Sequence, residues 1–322
     1  MMTSPVCTVL EAAPLDPAFA GFLAQAATQG NPPLETLPPH VARQVYRDMD
    51  AALGLPAPMI GAVSACSIPG PGGALASRVY APATPGPWPV LLFLHGGGFV
   101  IGDLETHDRA CRTLCHHANM LVVAVDYRLA PEHPFPAAPD DVEAALRWVG
   151  AHAADLGGDA SRIAVAGDSA GAQLALVGAR RVGSPAVRAL GLIYPVAQHP
   201  DVPSPSYLEN GEGKFLTMGA MRWFIGSYLD GQSPDHPDLA LLQSDLTGLP
   251  ATWVATMGHD PLRDEGHALA LRAEAAGVAV SHRHYPGAIH ACIHFDAVSP
   301  VGLRVLEDLA QWLRAQLVES SA

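Results

Sequence analysis

Charge is scarce in this sequence, since only 15% of residues are Asp, Glu, Lys or Arg and lysine is reduced to one, Lys214. That lysine sits in Gly213-Lys214-Phe215 rather than in the Gly-Lys-Ser/Thr of a phosphate-binding loop, so P-loop and Schiff-base chemistry lose most of their ground. Cysteine is also sparse. The five present (Cys7, Cys66, Cys111, Cys115 and Cys292) are odd in number and scattered, which argues against a secreted disulfide framework and for reduced thiols. No apolar run reaches the roughly 18 residues of a membrane span. Met1 to Leu15 lacks a basic region followed by an apolar one, so the expectation is a soluble cytoplasmic protein. Basic residues are outnumbered 31 to 18, and the net charge of −13 repels phosphate backbones and anionic membrane surfaces. Nucleic acid and stable membrane association are therefore not expected. There is no low-complexity tract and no internal repeat.

What is abundant is apolar surface. Apolar residues make up 49% of the 322, enough for a large core, and α/β proteins of this length commonly form one domain. From Leu15 to Leu53 apolar residues recur at helical spacing, broken by Asn31-Pro32-Pro33 and Pro38-Pro39. We read 1–55 as a helical cap segment and 56–322 as a catalytic domain with a cap insertion at about 200–235. Ile60–Ser67 and Leu75–Tyr80, joined by the Pro/Gly-rich Pro69–Gly73, read as an edge hairpin. Then come Pro89–Leu94, Leu121–Val125 and Ile163–Ala166, apolar runs too continuous for one-sided strands, alternating with helical patterns at Arg109–Ala118 and Asp140–Ala154. This predicts an α/β fold with a mostly parallel sheet covered on both faces. Leu190–Tyr194, Thr252–Thr256 and Val278–Tyr285 extend the sheet, and a helix is expected from Val301 to about Val318.

Chemistry concentrates in a few places. Gly167-Asp168-Ser169-Ala170-Gly171 is a G-x-S-x-G between an apolar strand and a helical pattern. A sharp turn there exposes the serine, and small residues two positions either side avoid collision with strand and helix. His95-Gly96-Gly97-Gly98-Phe99 ends the strand before it, where consecutive glycines let N–H groups converge on one point. Such convergence serves an oxyanion, with the N–H of Ala170 as its usual partner. A dinucleotide-type phosphate cradle fails on spacing, since Ile101 stands at the third glycine position. A serine hydroxyl needs a histidine base and an orienting acid, and the order Ser, Asp, His is met by Ser169, Asp260 and His290.

On these residues the chain resembles the hormone-sensitive-lipase-like esterases, or bacterial family IV, of the α/β-hydrolase superfamily. Four motifs carry the resemblance: His95–Phe99; Asp126-Tyr127-Arg128-Leu129-Ala130-Pro131-Glu132 continuing to Phe135-Pro136-Ala137-Ala138; Gly167–Gly171; and Asp260–Gly266 with Pro286-Gly287-Ala288-Ile289-His290. The resemblance implies an α/β-hydrolase fold with a helical cap and a triad of Ser169, Asp260 and His290. It also implies an oxyanion hole of Gly97, Gly98 and Ala170, and hydrolysis of short- to medium-chain carboxylic esters. It implies no metal or organic cofactor, and pairing as a homodimer fits it. The chain departs from the family pattern in two places: Ala172 after the elbow, where a second glycine is usual, and Ala291-Cys292 after the histidine, where Gly-Phe is usual. Bulk beside His290 is expected to bear on substrate preference more than on chemistry.

Rival readings attach to several residues. His294, four positions after His290, competes for the base, and Asp264 and Glu265 lie near Asp260 but suit the first turn of the next helix. Asp168 is read as a structural bond under the elbow, His95 as a loop brace, and Asp126, Arg128 and Glu132 as holding a turn. His107, Cys111 and Cys115 share a helical face, with His116 and His117 adjacent, a metal-like spacing that buried cysteines explain more simply. Phe215, Met218, Met221, Trp223 and Phe224 suit either an acyl pocket or cap packing. The same groups serve an amidase or arylformamidase, and the fold also hosts non-catalytic ligand receptors.

Overall fold

The computed structural model describes residues 10, 13–183, 186–202 and 204–317. Cys7, Val318 and the extreme ends of the segments 1–55 and 56–322 lie outside the described residues. Two helices open the chain, α1 (Pro17–Thr28) and α2 (Pro39–Leu53), each starting on a proline whose missing N–H costs nothing there. A hairpin follows, β1 (Ala62–Gly70) and β2 (Gly73–Ala81). Next are β3 (Trp88–Leu94), α3 (Asp108–Ala118), β4 (Leu121–Val125), α4 (Ala137–His152), β5 (Gly158–Asp168), α5 (Ala170–Val182) and β6 (Ala189–Ile193). The segment between β6 and β7 carries α6 (Pro205–Asn210) and α7 (Met218–Leu229), and β7 (Ala251–His259), α8 (Arg263–Ala275), β8 (Val280–Ile289) and α9 (Val301–Leu317) follow.

The eight strands form one sheet in the order β1-β2-β4-β3-β5-β6-β7-β8, parallel from β4 to β8 and antiparallel across β1, β2 and β4. The period of two in the strands divides the core. Val90, Leu92 and Leu94 face α4, α5 and α8, whereas Leu91 and Phe93 face α3 and α9. Both faces are therefore dry, which is why these strands read as continuous apolar runs. Consequently the loops after β3, β5, β7 and β8 all emerge at one edge, where ligands of open α/β sheets bind.

The last strand differs from the sequence expectation. It does not end at Tyr285 but continues through Pro286 and Gly287 to Ile289, because the register with β7 shifts between Met257 and His259 and resumes at the His259–Ile289 pair. A proline is tolerated there because β8 is an edge strand. None of the helices among the described residues is long and apolar enough to cross a membrane.

Three histidines gather between β7, β8 and α8, away from the strand ends. Thr256 Oγ1 meets His282 Nε2 at 2.9 Å and His284 Nδ1 at 3.0 Å, and the His267 ring lies 5.0 Å from that of His282. Burial, then the neighbouring imidazoles His267 and His284, push His282 down to about 4. An unfolded imidazole takes its proton near pH 6.5, which the folded site refuses. The stability from this site is therefore complete above about pH 6.5 and is lost as pH falls from there towards about 4. The urea midpoint should decline across that window, and His282→Gln should flatten the decline; equal slopes in parent and variant would refute the assignment.

Candidate active site

The chain turns sharply at Ser169, which holds φ +54 and ψ −120, a backbone conformation costly for any residue but glycine. Its surroundings over-determine the turn. Ser169 N–H donates to Ile193 O of β6 at 2.9 Å, and the Ser169 carbonyl accepts the first bonds of α5 from Ala172 and Gln173. A Cβ at Gly171 would stand 2.1 Å from Leu94 O, so α5 packs on β3 only because that position has no side chain. The result lifts the hydroxyl over the sheet edge at the N-terminus of α5.

His290 follows β8 directly, and Asp260 follows β7 directly. His290 Nε2 lies 3.0 Å from Ser169 Oγ and its Nδ1 lies 2.7 Å from Asp260 Oδ2. Asp260 is fully buried, and its other oxygen accepts the Leu262 N–H at 2.8 Å. The Tyr194 ring packs on His290 at 4.5 Å between centroids. A hydroxyl so placed can pass its proton to an imidazole whose tautomer the carboxylate fixes. The sequence order therefore brings Ser169, Asp260 and His290 together. His294 points elsewhere, bonding Tyr46 and Asp50.

The glycine loop after β3 folds into a tight turn in which Val100 and Ile101 N–H both donate to Gly97 O. Gly97 has φ +116, and a Cβ on it would stand 2.1 Å from Ile101 O. Gly97 and Gly98 line the cavity with Ser169, and Ala170 N–H belongs to the first turn of α5, whose donors have no partner inside the helix. Asp168 joins this loop to the elbow by accepting Gly96 N–H at 2.8 Å. Burial alone would raise the Asp168 carboxyl; the charge of His107, 3.1 Å away, with its bond and that of Gly96, brings it down to about 2. His95 braces the loop with Nδ1 on Gly96 O and its ring stacked on Tyr127 at 4.2 Å. Burial, then the charge of His107, push His95 down to about 4.

A cavity of about 760 Å³ opens above these groups. Tyr46 and Met49 of α2 form one wall, and Met218, Met221 and Phe224 of α7 another. Phe215 also lines it, whereas Trp223 does not and packs on Phe224 at 5.0 Å. Ala291 lines the cavity with φ +60, and Cys292 turns away, its Sγ 3.8 Å from Met257 Sδ. The methyl group of Ala291 leaves both His290 bonds in place. Ala172 is buried in α5.

Other residues take structural places. Arg128 forms a paired bond to the fully buried Asp141, and Glu132 bonds Arg43. Asp264 and Glu265 anchor α6: Ser206 N–H donates to Asp264 at 2.8 Å, and Tyr207 O–H to Glu265 at 2.9 Å. Burial pushes Glu265 up to about 8 against the bonds from Ala197 and Tyr207. The helical-face metal spacing does not gather. Among the described residues His107 groups instead with Asp168 and His294, while Cys111 and Cys115 are buried in the core. The four ring nitrogens of that group already face Thr106, Gly96 with Asp168, Tyr46 and Asp50, so a metal would have to break bonds to enter. Sequence reasoning did not find Tyr194, Tyr46 or Asp50. Only the strand end at Tyr194 gave any signal, since the other two act across more than 240 residues of sequence.

Gly97→Ala should strain the turn at its positive φ and push on Ile101 O, lowering the thermal midpoint by several degrees, as expected for about 1–3 kcal/mol of local strain. An unchanged midpoint by calorimetry would show that the loop adapts.

Comparison with known proteins agrees with this architecture. A family model described as alpha/beta hydrolase fold matches residues 91–294. The carboxylesterase NlhH of Mycobacterium tuberculosis is 45% identical over 220 residues, covering 66% of this chain and 69% of its own. The ethyl acetate hydrolase of Pseudomonas putida is 35% identical over 291 residues, covering 86% and 91%. An ester hydrolase from the metagenome of Lake Arreo, solved with a derivative of bipyridine phosphonate, superposes with a TM-score of 0.89 at 38% identity, covering 94% and 98%. With the fold, the family model and relatives of this extent in agreement, the chain belongs to the α/β-hydrolase superfamily, in its hormone-sensitive-lipase-like branch.

Proposed function

We propose that the protein hydrolyses carboxylic esters of short to medium acyl length through an acyl-enzyme on Ser169. The observation that carries this reading is the hydrogen-bond chain Ser169–His290–Asp260 at the floor of an apolar cavity. Relatives named as carboxylesterase and ethyl acetate hydrolase support the same activity. Ser169 Oγ attacks the ester carbonyl while His290 Nε2 takes its proton; Asp260 holds the imidazole and stabilises its charged form. The tetrahedral oxygen draws on the N–H groups of Gly97, Gly98 and Ala170. His290 then protonates the departing alcohol, and water repeats the sequence to release the acid. Residues 1–55 and the insertion at 200–235 act as the cap, which is supported by the cavity walls they supply.

Ser169→Ala should lower hydrolysis of p-nitrophenyl butyrate by at least about 10⁴-fold. An organophosphate should add its mass to the Ser169 peptide of the parent protein. Retained activity in the variant would overturn the reading, and faster turnover of a matched anilide than of the ester would move it to an amidase.

A further inference from the structure

Helix α2 reaches both catalytic loops. Arg43, Tyr46, Arg47 and Asp50 recur at helical spacing and so share one face. On that face Arg43 Nε donates to Val100 O at 2.8 Å, and Arg47 pairs with Asp103, both in the segment after the glycine loop. Tyr46 and Asp50 reach instead into the segment after His290. Tyr46 Oη lies 2.9 Å from His294 Nε2, and Asp50 Oδ1 lies 2.9 Å from His294 Nδ1. One turn on, Ala297 N–H donates to Leu53 O, the last residue of the helix, at 3.0 Å.

His294 is the meeting point. It is 1% exposed, and both ring nitrogens are committed. Because Asp50 can only accept, Nδ1 carries the proton and Nε2 accepts from the Tyr46 hydroxyl, so the two partners fix tautomer and ring plane together. The ring stands edge-on to His107 at 4.7 Å between centroids, and His107 in turn contacts Asp168 and Gly96, which join the elbow to the glycine loop. Three residues lie between His290 and His294, too few to let one move freely while the other is held.

We propose that His294 is a positioning residue for ester hydrolysis, clamping the His290 loop and, through His107, the glycine loop to helix α2. The inference rests on the hydrolytic reading given above. A side chain that only filled space would need no paired donor and acceptor, and a wall of the substrate cavity would act on binding. A positioning residue acts on the reacting geometry, where a displacement of about 1 Å costs up to about 10²-fold in rate.

Replacing His294 itself risks the fold, so the test removes its partners one at a time. Tyr46→Phe keeps the ring in the cavity wall and deletes the hydroxyl; Asp50→Asn keeps the shape and deletes the acceptor-only charge, whose Oδ1 also accepts from Arg109 Nη2 at 2.8 Å, so the Tyr46 arm isolates the imidazole. Active sites are counted by organophosphate titration, and kcat per titrated site and KM are measured with p-nitrophenyl butyrate. Each variant should lose about 10-fold in kcat per titrated site with KM little changed. The double variant should lose less than the product of the two, because both bond one imidazole. A fall smaller than about threefold in either single variant, whatever the thermal midpoint does, overturns the proposal, as does a loss carried by KM alone. Failure of the organophosphate to label Ser169 in the parent protein would overturn the hydrolytic reading itself, and this proposal with it.

Discussion

At Ser169 the backbone is held in a conformation it would not choose, and much of the molecule is arranged so that it has no alternative. The bond to Ile193 of β6, the carbonyl captured by two N–H groups of α5 and the bare backbone of Gly171 against Leu94 of β3 tie the turn to three separate elements. Local strain of this kind persists only where tertiary structure over-determines it. The elbow is thus a product of the β3–β5–β6 core.

The same core sets the distances among groups far apart in sequence. Parallel strands deliver the ends of β3, β5, β7 and β8 to one edge, so residues 95, 169, 260 and 290 meet although nothing in their local chain requires it. Buried electrostatics then refine the meeting. Asp168, one residue before the serine, stays ionised through His107 and Gly96 and thereby pins the glycine loop to the elbow. Because its charge is partnered inside the core, it serves geometry without needing solvent.

Legibility from sequence followed the range of the interaction. Continuous apolar runs announced strands buried on both faces, and the G-x-S-x-G context announced the turn, because both are written in neighbouring residues. The end of β8 was misjudged because Pro286 and Gly287 look like a break; a register shift against Met257–His259, invisible along the chain, carries the strand past them. The metal-like spacing on α3, which buried cysteines explain more simply, has the same limit. Helical spacing aligned His107 with Cys111 and Cys115, yet His107, at the helix start, turns to Asp168 and His294 from other segments. Tyr46 and Asp50 could not be found at all, since a tyrosine and an aspartate on an amphipathic helix look like ordinary surface.

The two helices between β6 and β7 are tied down very differently. Ser206 and Tyr207 of α6 bond the residues that follow Asp260, whereas Met218, Met221 and Phe224 of α7 present side chains to the cavity. Divergence among descendants of this chain is therefore partitioned. Exchanges along α7 can remodel what the cavity admits while the loop of Asp260 stays fixed, but exchanges at Ser206 or Tyr207 disturb that loop, so α7 is where the cavity tolerates change.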